Sequence, residues 1–231
     1  MYSIEPLQFN TLRQKVYEHL KKQINAGKIL PGAFLDLNRL SADLEISRTP
    51  LRDALIRLEA EGFVTFFPRR GVILNPMSPE EIRNIYQIIG SLESSVILNC
   101  RNEMARTCVN NMKIHTQCMY SALEKDDFDE FYSHNLSLHN VFLDLSPNSE
   151  LVFMVKRLKE RLYDFPRKKT FIKEWEITST GEHEKVIAML EEERFKDAAD
   201  YLRDVHWSFE AQEQYIRQYY FQCNTGSIAS R

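Results

Sequence analysis

Residues 40–58 read Leu40-Ser41-Ala42-Asp43-Leu44-Glu45-Ile46-Ser47-Arg48-Thr49-Pro50-Leu51-Arg52-Asp53-Ala54-Leu55-Ile56-Arg57-Leu58. Leu51, Ala54, Leu55 and Leu58 recur at helical spacing and define one apolar face. Ser47 has the side chain of an N-cap, so a helix is expected from Thr49 to Glu61, closed by Gly62. Upstream, Leu12, Val16, Leu20 and Ile24 form a second apolar stripe that stops at Gly27. A turn at Leu30-Pro31-Gly32 leads to a short helix expected to begin near Asn38, with Leu40 and Leu44 inward. Downstream, Phe63–Phe67 and Val72–Leu74 are β-prone, and Pro68-Arg69-Arg70-Gly71 between them suits a hairpin turn. Three helices and a two-stranded wing, in that order, make a winged helix-turn-helix.

The 231-residue chain is long enough for one large domain or two modest ones. Its formal charge of -3 hides an asymmetry. Residues 1–77 hold 11 Lys and Arg against 8 Asp and Glu; residues 78–231 hold 19 against 25. Only the basic front module is therefore expected to meet a polyanion. The seam falls at Asn75-Pro76-Met77-Ser78-Pro79, where Ser78, Pro79 and Glu81 form a capping-box pattern. After it the patterning is helical throughout, over 79–103, 106–124, 127–145, 149–164, 178–193 and 195–221. The expected fold is mainly α: a winged helix-turn-helix (1–77), an all-helical antiparallel bundle (78–222) and a flexible tail (223–231). No apolar run approaches the ~20 residues that cross a bilayer. MYSIEPLQFN lacks a signal-peptide pattern, and Cys100, Cys108, Cys118 and Cys223 lack CxxC spacing, so a reducing, cytoplasmic setting is expected.

A helix beginning at Ser47 points its first-turn amides and positive dipole end at whatever it docks against, which favours phosphate. Arg48 and Arg52 lie four apart, opposite the leucine stripe, and each can offer a bidentate fork to a guanine edge. Thr49 is short enough to touch phosphate or a thymine methyl, and Arg57 is placed further down, over phosphate or paired with Glu61. Arg69 and Arg70, beside Gly71, would reach a flanking backbone or minor groove. The competing account is a set of solvated salt bridges with Asp53, Glu59 and Glu61.

Val16 through Gly71 resembles the N-terminal domain of GntR-type bacterial transcription regulators. The resemblance rests on Gly27-Lys28-Ile29-Leu30-Pro31-Gly32, on Leu40 through Leu55, and on Leu58-Glu59-Ala60-Glu61-Gly62-Phe63-Val64. It implies operator contacts from Arg48, Thr49 and Arg52 and from the wing tip at Arg69–Gly71. Asn38 stands where some relatives place a phosphate-contacting basic residue.

In the acidic half, Asn135 and His139 share one helix face, His183 lies in a later helix and His206 in the last. Three imidazoles on three helices, with an oxygen donor one turn from the first, can close around one divalent cation in a bundle core. His19, His115 and His134 are expected to be ordinary hydrogen-bonded residues. The order of these residues is similar to the FCD ligand-binding domain of the FadR-like branch, which implies a metal held by Asn135, His139, His183 and His206. Asn135 replaces the family's Asp, which shifts the expected ion towards Zn or Ni. The His183-to-His206 interval is about one residue longer than the pattern, which a loop near Glu193–Phe195 would absorb. Ile89 stands where many members carry an effector-binding arginine, although Leu92-Glu93 fits, so Arg157 and Arg161 become the expected effector-binding residues.

These readings converge on a regulator rather than an enzyme: a dimeric repressor of a palindromic operator, tuned by a small organic acid. A metal-dependent enzyme with a DNA-targeting module, and a constitutive DNA binder with a decayed pocket, are the alternatives.

Overall fold

A computed structural model describes residues 12–68, 70–102, 104, 106–164 and 171–221; the expected tail at 223–231 lies outside the described residues. The chain separates into a unit ending at Met77 and a helical unit beginning at Ser78.

In the first unit, helix α1 (Leu12–Asn25) packs against α3 (Arg48–Ala60), with the short α2 (Leu37–Asp43) beside α3. Val16, Leu20 and Ile24 of α1 and Leu51, Leu55 and Leu58 of α3 are buried. Each such leucine contributes roughly 1.5–3 kcal/mol by leaving water. Asp36 caps α2, which begins at Leu37 beside the expected Asn38: the Asp36 carboxylate accepts from the amides of Asn38 and Arg39 at 2.8 and 3.3 Å. Ser47 does occupy the N-cap position of α3 with extended backbone, but its side chain makes no capping bond.

The wing is larger than the two strands expected. Strands β2 (Val64–Phe67) and β3 (Gly71–Leu74) form the antiparallel hairpin, and β1 (Phe34–Leu35) adds to the other edge of β3, in the order β1-β3-β2. A two-residue strand leaves no periodicity to read, which is why the sequence hides it. Gly71 opens β3 at φ +101°, a conformation that side chains resist. Asn75 latches the hairpin base, donating from Nδ2 to Gly62 O at 3.0 Å and accepting from Thr65 Oγ1 at 2.8 Å.

The second unit is helical among the described residues: α4 (Pro79–Asn99), α5 (Arg106–Glu124), α6 (Phe128–Leu143), α7 (Ser149–Asp164), α8 (Lys173–Glu191), α9 (Phe195–Tyr201) and α10 (Phe209–Ile216). Ser78 and Glu81 make both bonds of the capping box on α4. Helix α8 begins at Lys173 instead of 178. The last helix is not continuous: a π-helical segment at Leu202–His206 ends in a break at Trp207–Ser208, α10 follows, and a second π-helical segment, Arg217–Phe221, continues it. No described helix is long and apolar enough to cross a membrane.

Where α4 meets the first π-helical segment, the fit is tight at Gly90. A Cβ there would lie 2.9 Å from Trp207 Cβ and 3.4 Å from Arg203 Cα. Ala in a helix is normally favoured over Gly by about 1 kcal/mol. Here Gly90→Ala is expected to destabilise the protein by about 1–3 kcal/mol, as overpacking does. Urea unfolding measures this, and a stabilised variant would contradict the packing.

Candidate nucleic-acid interface and metal centre

The turn that presents α3 is built from the backbone. Glu45 takes a left-handed conformation (φ 53°), Ile46 N donates to Ser41 O at 3.1 Å, and Ser41 Oγ donates to Ile46 O at 2.5 Å. From this fixed start, Arg48, Thr49 and Arg52 all project into solvent on α3, while Leu51 and Leu55 are buried beneath them. Neither Arg48 nor Arg52 has a hydrogen-bond or ion-pair partner among the described residues. Ser47 claims no first-turn amide. An unneutralised guanidinium pair at a helix N-terminus is suited to a polyanion.

Arg57 is engaged differently. Its guanidinium lies 3.7 Å from the Tyr17 ring centroid, donates from Nε to Glu61 Oε1 at 3.1 Å and reaches Gln14 Oε1 at 2.8 Å. Tyr17 in turn donates to Glu61 Oε2 at 2.6 Å, and burial with that contact pushes its phenol up to about 12. Arg57 thus ties α1 to α3, and the salt bridge to Glu61 weighed from sequence is formed. Asn38 is exposed at the start of α2, with its amide on Asp36. Arg70 is exposed at the wing turn next to Gly71, and its amide donates to Phe67 O at 3.1 Å. Arg69 lies outside the described residues.

In the helical unit, His139 (α6), His183 (α8) and His206 (first π-helical segment) come together, their ligand atoms all within 4.8 Å of one another. All three are buried. The Nε2 atoms of His139 and His183 are 3.2 Å apart. Two nitrogens held at ~2.1 Å from one ion, at right or tetrahedral angles, would be separated by ~3.0–3.4 Å, so this spacing fits a shared metal. Asn135 is buried one turn before His139 on the same helix.

Two carboxylates stand behind the imidazoles. His139 Nδ1 lies 3.0 Å from Glu93 Oε2 and His206 Nδ1 lies 2.8 Å from Glu182 Oε2. With Nδ1–H donated to the carboxylate, Nε2 keeps its lone pair for a cation, the usual arrangement around metal-binding histidines. Trp207 Nε1 donates to Glu93 Oε2 at 2.7 Å, and Lys159 pairs with Glu93 Oε1. Gln212 donates to Glu182 Oε1 at 2.9 Å and accepts from Trp175 Nε1 at 2.8 Å. Burial opposes charge on Glu93, but His139 and Lys159 outweigh it and hold the carboxyl down at about 2. Burial pushes His139 down to about 4 against the pull of Glu93, and burial drives His183 well below its ordinary value. These two imidazoles are therefore neutral at pH 7, as metal ligands must be. His183 Nδ1 is buried with no hydrogen-bond partner among the described residues. The donor set, its spacing and the anionic second layer all fit a divalent ion.

Arg157 and Arg161 both lie on α7. Arg157 is exposed; Arg161 is part-buried and paired with Glu81 Oε1 at 2.9 Å. Among the described residues of α7 the buried cation is Lys159, which helical spacing alone does not single out.

Residues 12–74 match the family described as bacterial regulatory proteins, gntR family, and residues 84–206, more than half of the chain, match the FCD domain. The chain belongs to the GntR/FCD family. Among curated relatives, this GntR/FCD protein is 24% identical over 135 residues to the HTH-type transcriptional repressor RspR of Escherichia coli, covering 58% of this chain and 59% of RspR. It is 27% identical over 164 residues to the gluconate operon transcriptional repressor of Bacillus licheniformis, covering 64% and 67%. The chain thus spans less than two thirds of the length of RspR. Two solved structures share the fold, each at a TM-score of 0.63 and 20% identity: Lar, which controls expression of the Listeria monocytogenes agr system (91% of this chain, 99% of that one), and E. coli McbR/YncC (89% and 95%).

What the sequence reading missed in this GntR/FCD protein is the layer behind the histidines. Glu182 is adjacent in sequence to His183 but serves His206, whose Nδ1 lies 2.8 Å from its Oε2. The longer His183-to-His206 interval meets a tight turn at Glu193 (φ 58°) and a π-helical stretch that ends at His206. A π-helical turn takes up one extra residue and is common at functional sites.

Proposed function

We propose that the chain is a sequence-specific DNA-binding transcription regulator, acting as a cytoplasmic homodimer on a palindromic operator and tuned by a small organic acid. The observation that carries this reading is the exposed, unpartnered pair Arg48 and Arg52 on the first turns of α3. Each supplies a fork for a guanine edge in the major groove, Thr49 contacts phosphate or a thymine methyl, and Asn38, Arg69, Arg70 and Gly71 are assigned to the flanking backbone; Arg57, held by Tyr17 and Glu61, contributes there only secondarily. Dimerisation follows from the small area that one recognition helix buries, since two read a palindrome. Repression is the output that the relatives' names favour.

His139, His183 and His206, with the amide oxygen of Asn135, would hold a divalent ion in the helical unit. Neutral imidazoles favour Zn or Ni. The ion, when bound, supplies a positive charge that attracts a carboxylate. Arg157 and Arg161 are the proposed partners for the rest of the acid, Arg161 by exchanging Glu81. The enzyme alternative lacks a spare base at the cluster, because Glu93 and Glu182 are both committed to orienting imidazoles.

The regulatory half is tested on metal-loaded, full-length protein by a thermal-shift screen of small organic acids, followed by operator binding with each stabilising compound. A coupling of ~1–3 kcal/mol, typical of allostery, would change operator affinity ~5–150-fold. Operator affinity that no acid and no chelator alters would favour the constitutive binder.

A further inference from the structure

We propose that Trp175 and Gln212 are positioning residues for the metal centre, acting through Glu182 to fix which nitrogen of His206 is offered to the ion. This role rests on the reading of His206 as a metal ligand. A one-way row of hydrogen bonds carries it. Trp175 Nε1 donates to Gln212 Oε1 at 2.8 Å, Gln212 Nε2 donates to Glu182 Oε1 at 2.9 Å, and Glu182 Oε2 lies 2.8 Å from His206 Nδ1. An indole only donates, so Gln212 turns its carbonyl oxygen to Trp175 and its amino group to Glu182. An ionised carboxylate only accepts, so the proton of a neutral His206 sits on Nδ1. Nε2 then keeps the lone pair that a cation needs.

The Gln212 amide resists reversal. Its Nε2 also donates to Val205 O, at 3.4 Å, one residue before His206. A flip would break all three bonds and set oxygen against the Glu182 and Val205 oxygens, and Gln212 is buried, where unmade hydrogen bonds are costly. The row also crosses between elements: Trp175 and Glu182 lie on α8, Gln212 on α10. It reaches His206 at the end of the π-helical segment, where the regular helix stops. His139 has a shorter version of the same backing, since Trp207 Nε1 donates to the Glu93 oxygen that faces His139 Nδ1. The chain's two tryptophans thus stand behind two of the three imidazoles. His183 lacks such backing, its Nδ1 being buried with no hydrogen-bond partner among the described residues.

The test uses full-length protein and Zn alone. Trp175→Phe removes the N–H but keeps a ring against Tyr215, and Gln212→Met removes the amide but keeps the length of the side chain. Each is expected to weaken Zn binding about tenfold, the lower end of what partners behind metal-bound histidines contribute. On the weaker Zn binding left in His206→Ala, the same two changes are expected to have no further effect, because their action passes through His206. A second readout needs no metal. NMR of isotope-labelled histidine nitrogens, in mildly alkaline buffer, is expected to find the His206 proton on Nδ1 in the wild type and partly on Nε2 in Gln212→Met. Zn affinity unchanged in Trp175→Phe and Gln212→Met, although His206→Ala weakens it, overturns this proposal and leaves the metal centre standing. A penalty that persists in full without His206, or a wild-type proton on Nε2, does the same. Zn binding that is absent from the wild type, or that His206→Ala does not weaken, overturns the place of His206 in the metal centre and this proposal with it.

Discussion

Replacing Arg48 and Arg52 together with Ala is expected to abolish operator selection while leaving the fold intact. Both side chains are exposed and unpartnered, so their removal costs the N-terminal unit no described contact. Each bidentate pairing with a guanine contributes ~1–3 kcal/mol of discrimination, and two contribute ~2–6 kcal/mol. At ~1.4 kcal/mol per tenfold, this is a loss of roughly 30-fold to more than 10,000-fold in specific affinity, with weaker loss on random DNA. Arg57→Ala provides the contrast. Its guanidinium is stacked on Tyr17 and paired with Glu61, so its loss should appear first in unfolding midpoint and only secondarily in binding. Fluorescence anisotropy at fixed salt separates the two. Retention of full selectivity by the Arg48/Arg52 double variant would remove α3 from the groove.

The second large effect concerns the buried histidines. His139→Ala with His183→Ala is expected to eliminate the tightly held ion, because one imidazole and Asn135 cannot retain it. The readout is the metal-induced rise in melting temperature, not the melting temperature itself, since deleting two buried rings costs stability without any metal. At ion concentrations of ~100 Kd the wild type gains ~2.7 kcal/mol from binding. For a chain of this size that raises the midpoint by ~5–10 °C, at ~2–4 °C per kcal/mol. The double variant should show no such shift, and elemental analysis should find the corresponding ion missing. An unchanged shift would mean that the three imidazoles do not hold metal.

The fold was legible wherever a repeated pattern carried it. The stripes of α1 and α3 have helical periodicity, and Ser78-Pro79-Glu80-Glu81 encodes its own cap. The histidines were legible because the imidazole itself bears the chemistry. What stayed hidden depends on contacts between distant segments. Strand β1 is two residues long and exists only because β3 offers an edge. Lys159 sits in an exposed-looking helix, VKRLKERL, and its burial against Glu93 is fixed by how α7 meets α4. Glu182 looks like one carboxylate of a Glu-His-Glu run until His206, on another segment, turns out to be its partner. The break at Trp207 and the π-helical turns leave no breaker in the sequence, since no Gly or Pro lies between Gly181 and Gly226.

The central claim is that the exposed first turns of α3 read a base sequence in duplex DNA. It is tested most directly by selecting genomic fragments with the full-length protein and measuring the affinity for the best fragment against its shuffled counterpart at the same ionic strength. Enrichment of inverted repeats is expected, with a ratio of at least ~10³, the lower range for specific binding. Equal affinity for the chosen and the shuffled duplex would contradict it.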